Sequence, residues 1–236
     1  MSIATNRAQR TRIKICGLTR EEDVDSAVAA GADAIGFVLY KDSPRYVSPL
    51  RAAELTKRLP PFVTPVLLFV NENAANIIAA KAINTLAIAQ FHGDETPEQC
   101  NQLGLPYIRA ARIPLGDGAA SFDLVKYAHD YSQAKAILLD AHVEGYGGGG
   151  KTFNWSLLPT NVNAHLVLSG GLNAANVTDG ILQVRPRCKT LAVDVSSGVE
   201  ATDAQGKPQK GIKDARKIHQ FIQAVRAADT QFNQTI

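Results

Sequence analysis

Short apolar runs alternate with amphipathic stretches of helical period along almost the whole chain. Residues 13–16, 34–39, 63–70, 86–91, 107–111, 136–140, 165–168 and 190–195 read as eight strands. Between and after them, residues 20–30, 48–59, 74–83, 97–103, 122–131, 174–184 and 212–228 read as helices, with a short helical turn over 155–158 after the sixth strand. Local signals support the boundaries: Gly31 closes the first helix, and Ser48-Pro49 supplies an N-cap and a first-turn proline to the second.

A strand that is followed each time by a helix packs as a parallel sheet, and eight such units close into a (β/α)8 barrel. The open doubly wound sheet is the alternative, although it usually carries fewer strands. At 236 residues the chain has the size of one barrel. The expected organisation is a tail over 1–11, a single barrel domain over 12–227 and a tail over 228–236.

Composition narrows the function classes. With 45% hydrophobic and 20% charged residues, the chain has material for a sizeable core. A formal charge of +3 is too small for nucleic acid but suits an anionic metabolite. No stretch approaches the roughly 20 apolar residues of a membrane span, and no secretory apolar run opens the chain. Cys16, Cys100 and Cys188 are neither a disulfide framework nor a metal cluster, so a reducing, cytoplasmic location is expected. The five histidines lack ligand spacing, so no metal is expected. Nothing marks an interface, and a monomer or homodimer is expected.

Two connections carry unusual chemistry. Leu168-Ser169-Gly170-Gly171-Leu172-Asn173 follows the seventh strand, and Val193-Asp194-Val195-Ser196-Ser197-Gly198-Val199-Glu200 covers the eighth strand's end and its loop. Glycines let backbone N–H groups approach an anion, and a helix N-terminus adds its dipole. Barrels hold phosphate after strands seven and eight, so these loops are read as a phosphate grip rather than plain turns. The stretch GYGGGGKT over 145–152 satisfies the letter of a nucleotide-binding loop. Five residues separate it from Asp140 and no proper helix follows, so a loop over the active site fits better.

Catalytic groups of a barrel stand at the C-terminal ends of strands. Cys16, His92, Asp140 and Asp194 are the polar residues there, and alternation places Lys14 with Cys16 on one face. A thiol whose pKa falls beside a cation can act as a base, and a desolvated carboxyl can act as an acid. Position alone leaves Cys16 open between that role and a small buried hydrophobe. His92 shows no partner in the sequence and reads as a structural or substrate-contact residue. Arg45, in the loop after the second strand, is suited to a bidentate pair with a carboxylate.

Taken together, Arg12-Ile13-Lys14-Ile15-Cys16-Gly17-Leu18-Thr19, Gly36-Phe37-Val38, Ser43-Pro44-Arg45-Tyr46-Val47-Ser48, Gln90-Phe91-His92-Gly93-Asp94-Glu95, Ile137-Leu138-Leu139-Asp140 and the two glycine loops resemble the phosphoribosylanthranilate isomerase family of tryptophan biosynthesis. The resemblance runs over residues 12–221 in the right order. It implies an Amadori rearrangement of N-(5-phosphoribosyl)anthranilate with no metal or organic cofactor. It further implies Asp140 as general acid, Cys16 as general base and Arg45 as the contact for the anthranilate carboxylate. His92 and Asp194 would contact substrate, and Gly170, Gly171, Ser196, Ser197 and Gly198 would bind phosphate.

Three positions depart from the family pattern. Gly149 replaces a threonine, Asn154 stands where aspartate is usual, and residues 201–211 form a longer, more polar segment that reads as an exposed loop. Two alternatives remain. The related histidine-pathway isomerase has an aspartate at the end of strand one, which Cys16 argues against. A non-catalytic phosphosugar-binding barrel is disfavoured by retention of both reacting groups.

Overall fold

The computed structural model describes residues 10–115, 122–141 and 152–235. The eight strands are β1 Arg12–Cys16, β2 Ala34–Val38, β3 Thr64–Phe69, β4 Ile88–Phe91, β5 Tyr107–Ile113, β6 Ala136–Ala141, β7 His165–Leu168 and β8 Thr190–Val195. They form a closed parallel barrel in sequence order, with β1 returning to pair with β8. Around it run α1 Glu21–Ala30, α2 Pro49–Thr56, α3 Ala74–Ile83, α4 Pro97–Asn101, α5 Leu124–Asp130, α6 Val177–Val184 and α7 Ala215–Thr235.

Alternation divides each strand between two environments. Ile13 and Ile15 of β1 are fully buried in the large core between the barrel and its helices. Lys14 and Cys16 share the opposite face, and Cys16 packs with Val38, Leu68 and Val70 near the mouth. Burying a side chain such as Ile13 or Leu67 contributes about 2 kcal/mol each, which supplies the drive for closure. Local signals fix the helix ends. The Gly31 N–H bonds the Ala27 and Val28 carbonyls at φ +98°, Ser48 Oγ accepts from Arg51 N, and Thr96 with Gln99 completes a reciprocal cap on α4.

Three segments differ from the sequence expectation. The helix after β7 starts at Val177 rather than 174, because Asn173 and Asn176 use their side-chain oxygens to hold a turn. Residues 201–211 are not a plain exposed loop. Most of them belong to an antiparallel hairpin of β9 Glu200–Thr202 and β10 Pro208–Lys213. Residues 228–235 are not a loose tail, since α7 continues to Thr235.

That extension is anchored by polar contacts that periodicity does not register. Asp229 accepts from the Thr11 backbone N–H at 2.9 Å and from its hydroxyl at 2.5 Å, and it pairs with buried Arg185. The Arg185 guanidinium lies 4.7 Å from the Phe232 ring centre. Thr11 is therefore part of the barrel's closure rather than of a preceding tail. The glycine-rich stretch 145–152 lies outside the described residues except for Thr152. No helix among the described residues is long and apolar enough to cross a membrane.

Candidate active site

A cavity of about 360 Å³ opens at the C-terminal mouth of the barrel, bordered by Cys16, Arg45, His92, Asp140, Asp194 and Ser196. Gly170, Gly171 and Ser197 also line it. Parallel strands all end at this rim, which is why residues far apart in the chain converge here. Nearly every strand-end residue singled out from the sequence faces one space.

The two phosphate-type loops interlock. A Cβ built on Gly198 would stand 1.9 Å from the Leu172 carbonyl oxygen, so only glycine lets the β8 loop rest against the β7 loop. Gly198 itself is not among the residues that line the cavity. Gly170 adopts φ +77°, and a Cβ there would fall 2.6 Å from Ala141 N and 2.8 Å from Asp140 Oδ1. This glycine therefore brings the β7 loop directly against Asp140 in β6.

Asp140 is not alone. Its Oδ2 lies 3.0 Å from His92 Nε2, and His92 Nδ1 lies 3.1 Å from Gln90 Nε2. With the amide donating to Nδ1, the imidazole carries a proton on Nε2 and donates it to Asp140 Oδ2. His92 thus has the partner that its sequence context did not reveal. Its segment is braced by buried Arg109, which donates to the Phe91 and Gly93 carbonyls and pairs with Glu95 at 3.0 Å.

Cys16 stands among charges. Lys14 Nζ pairs with Asp194 Oδ1 at 2.9 Å beneath the mouth, and both side chains are almost fully buried. Burial pushes the Cys16 thiol upward, the charges of Lys14 and Lys213 oppose it, and Asp194 adds to the rise. The net direction is up, so the neighbouring cations oppose burial without overcoming it. Burial alone would lower the Lys14 ammonium, but Asp194 and Cys16 outweigh it and hold Lys14 above its ordinary range.

Arg45 makes a bidentate pair, but with the protein's own Glu200, through Nε at 2.7 Å and Nη2 at 2.9 Å. Glu200 also accepts from the Gly211 N–H at 2.8 Å and from Lys213 Nζ at 3.3 Å. Burial would raise the Glu200 carboxyl, yet Arg45 and Lys213 outweigh it and hold it below its usual range. Lys213 donates to the Ser196 carbonyl at 3.0 Å, and burial pulls its ammonium down to about 8 against the attraction of Glu200. The hairpin thus delivers a cation beneath the phosphate-type loop, and the guanidinium's Nη1 is outside the Glu200 pair.

The profile of the family described as N-(5'phosphoribosyl)anthranilate (PRA) isomerase matches residues 13–224. The chain belongs to this family. It is 60% identical over 222 residues to the N-(5'-phosphoribosyl)anthranilate isomerase of Methylibium petroleiphilum, covering 94% of this chain and 97% of that protein. The fold is similar to the crystal structure of phosphoribosyl anthranilate isomerase from Thermotoga maritima, with 40% identity, a TM-score of 0.77, and 92% and 99% of the two chains covered. It is similar also to a phosphoribosyl anthranilate isomerase in complex with reduced 1-(o-carboxyphenylamino)-1-deoxyribulose 5-phosphate, at 38% identity and a TM-score of 0.74, covering 92% and 99% of the two chains.

Within this family member, Lys14, Gln90, Glu200 and Lys213 are site components to which the sequence reading gave no role. Only Lys14 carried a usable signal, an ionisable residue two positions before Cys16 within the apolar run of residues 13–16. Gln90 has the same spacing to His92, but glutamine in a strand is not distinctive. Glu200 lies 155 residues from Arg45, and no pattern in the sequence links them.

Proposed function

We propose that this isomerase family member catalyses the Amadori rearrangement of N-(5-phosphoribosyl)anthranilate to 1-(2-carboxyphenylamino)-1-deoxyribulose 5-phosphate, in tryptophan biosynthesis. The observation that carries the reading is the convergence of Cys16, Asp140 and two interlocked glycine loops on one cavity. The 5-phosphate sits against the loops of Gly170, Gly171, Ser196 and Ser197, with Gly198 shaping them. The anthranilate carboxylate meets Arg45, which Glu200 holds in place from behind. The sugar then lies between Cys16 and Asp140.

Asp140 carries a proton on Oδ1 and delivers it to the furanose ring oxygen as the C1–O bond breaks, leaving an iminium at C1 and a hydroxyl at C4. His92 occupies Oδ2, which orients the other oxygen toward the substrate. Cys16, as thiolate, then removes the C2 proton, and the electron pair passes through C1–C2 to neutralise the iminium. The resulting enolamine tautomerises to the amino ketone. His92 and Asp194 border the substrate while engaging Asp140 and Lys14 respectively.

The test follows loss of the anthranilate-conjugate fluorescence with purified protein. Cys16→Ser and Asp140→Asn should each lower turnover by about 10²–10⁴-fold, with substrate binding still measurable. Near-normal turnover in either variant would remove that residue from its role. Turnover of the histidine-pathway aminoimidazole substrate in place of the anthranilate conjugate would overturn the substrate assignment.

A further inference from the structure

The interior of a barrel is normally filled with branched aliphatic side chains, and a buried ion pair is costly beside such packing. Lys14 and Asp194 nevertheless face each other there, at directly paired positions of β1 and β8. Their position relative to the thiol is set by β2. Cys16 pairs with Gly36 across the sheet. A Cβ added to Gly36 would lie 2.7 Å from Cys16 Sγ and 3.0 Å from Lys14 Nζ. The missing side chain is therefore the space in which the thiol and the ammonium become neighbours.

We propose that Lys14, clamped by Asp194, is a positioning residue that stabilises the thiolate form of Cys16 against the desolvation of its buried site. This rests on Cys16 being the proton-abstracting group. Other charged groups face the thiol without offering the same arrangement. Lys213 is committed to the Ser196 carbonyl and Glu200, and Arg45 to Glu200. Across the mouth, His92 and Asp140 engage each other. Lys14 has three N–H donors, of which Asp194 takes one and thereby fixes the ammonium's direction and keeps it charged. Asp194 then acts on the reaction through Lys14.

Alkylation of Cys16 by iodoacetamide, followed by peptide mass spectrometry against pH, reads the thiolate without any need for turnover. In Lys14→Met the midpoint of this profile should rise by about one pH unit or more, and alkylation at pH 7.5 should slow about tenfold. The rising limb of kcat/KM against pH should move by the same amount, and Lys14→Arg should restore part of it. Gly36→Ala, which pushes the two groups apart, should also raise the midpoint and decides the matter if Lys14→Met does not fold. An unchanged midpoint in a folded variant overturns the proposal. A shifted midpoint in the variants, together with no turnover of the anthranilate conjugate by the unsubstituted protein, would instead overturn the isomerase reading and leave the Lys14–Cys16 coupling standing.

Discussion

Gly198 is the residue at which the two phosphate-type loops are most tightly bound to each other. Because its missing Cβ would meet backbone rather than a flexible side chain, the clash cannot be relieved by a rotamer change. Gly198→Ala should move the β7 loop as well as its own. The expected result is a KM for the phosphorylated substrate raised about tenfold or more, weaker inhibition by inorganic phosphate, and a smaller fall in kcat. Steady-state kinetics with phosphate as competitor checks this, and a change confined to kcat would contradict it. Cys16 and Asp140 were legible because a polar residue ending an apolar strand is conspicuous. The Glu200 carboxylate that meets Arg45 was not, since a salt bridge between distant residues leaves no periodic trace.

The hairpin β9–β10 shows what pattern reading misses in a short polar element. Residues 201–211 lack an apolar stripe, yet the hairpin places Lys213 beneath Ser196 and beside Glu200. Burial lowers the Lys213 ammonium from an ordinary 10.5 to about 8. Below about 8 the group is charged in both folded and unfolded chains, and the full cost of burying the charge is present. Between about 8 and 10.5 the unfolded chain holds more protons, so this group makes the fold more stable as pH rises. The gain over that window is at most about 3 kcal/mol. Urea unfolding at pH 7.5 and 9.5 should therefore show a positive increment that Lys213→Met loses. An identical increment in the variant would mean that the ammonium is not held down by burial.

At the scale of the whole molecule, closure depends on joining the two ends of the barrel domain. β1 pairs with β8, and outside the sheet Thr11, Arg185 and Asp229 bind the start of β1 to α7 below the barrel. Removing one partner leaves a buried guanidinium with less compensation, so Asp229→Ala should cost about 3 kcal/mol. For a chain of this size that is a fall in Tm of roughly 6–12 °C. Deleting residues 228–236 should cost at least as much, while kcat of the folded fraction stays near normal because the clamp lies at the end opposite the mouth. Thermal unfolding and single-temperature kinetics check both. A truncated protein with unchanged Tm would restore the reading of these residues as a tail.

The sequence by itself determined the eight strand–helix units, the barrel they close, and the family, because hydrophobic period and compact motifs are local properties of the chain. It also placed Cys16, Asp140 and the glycine loops at strand ends that a barrel gathers at one rim. Only the tertiary structure decided what those groups touch. Strand register set Lys14 opposite Asp194 and Cys16 beside Gly36, and barrel closure brought His92 to Asp140 and Glu200 to Arg45. Buried charges answer to neighbours tens to hundreds of residues away. Their pairing is therefore fixed by packing in three dimensions and not by the pattern along the chain.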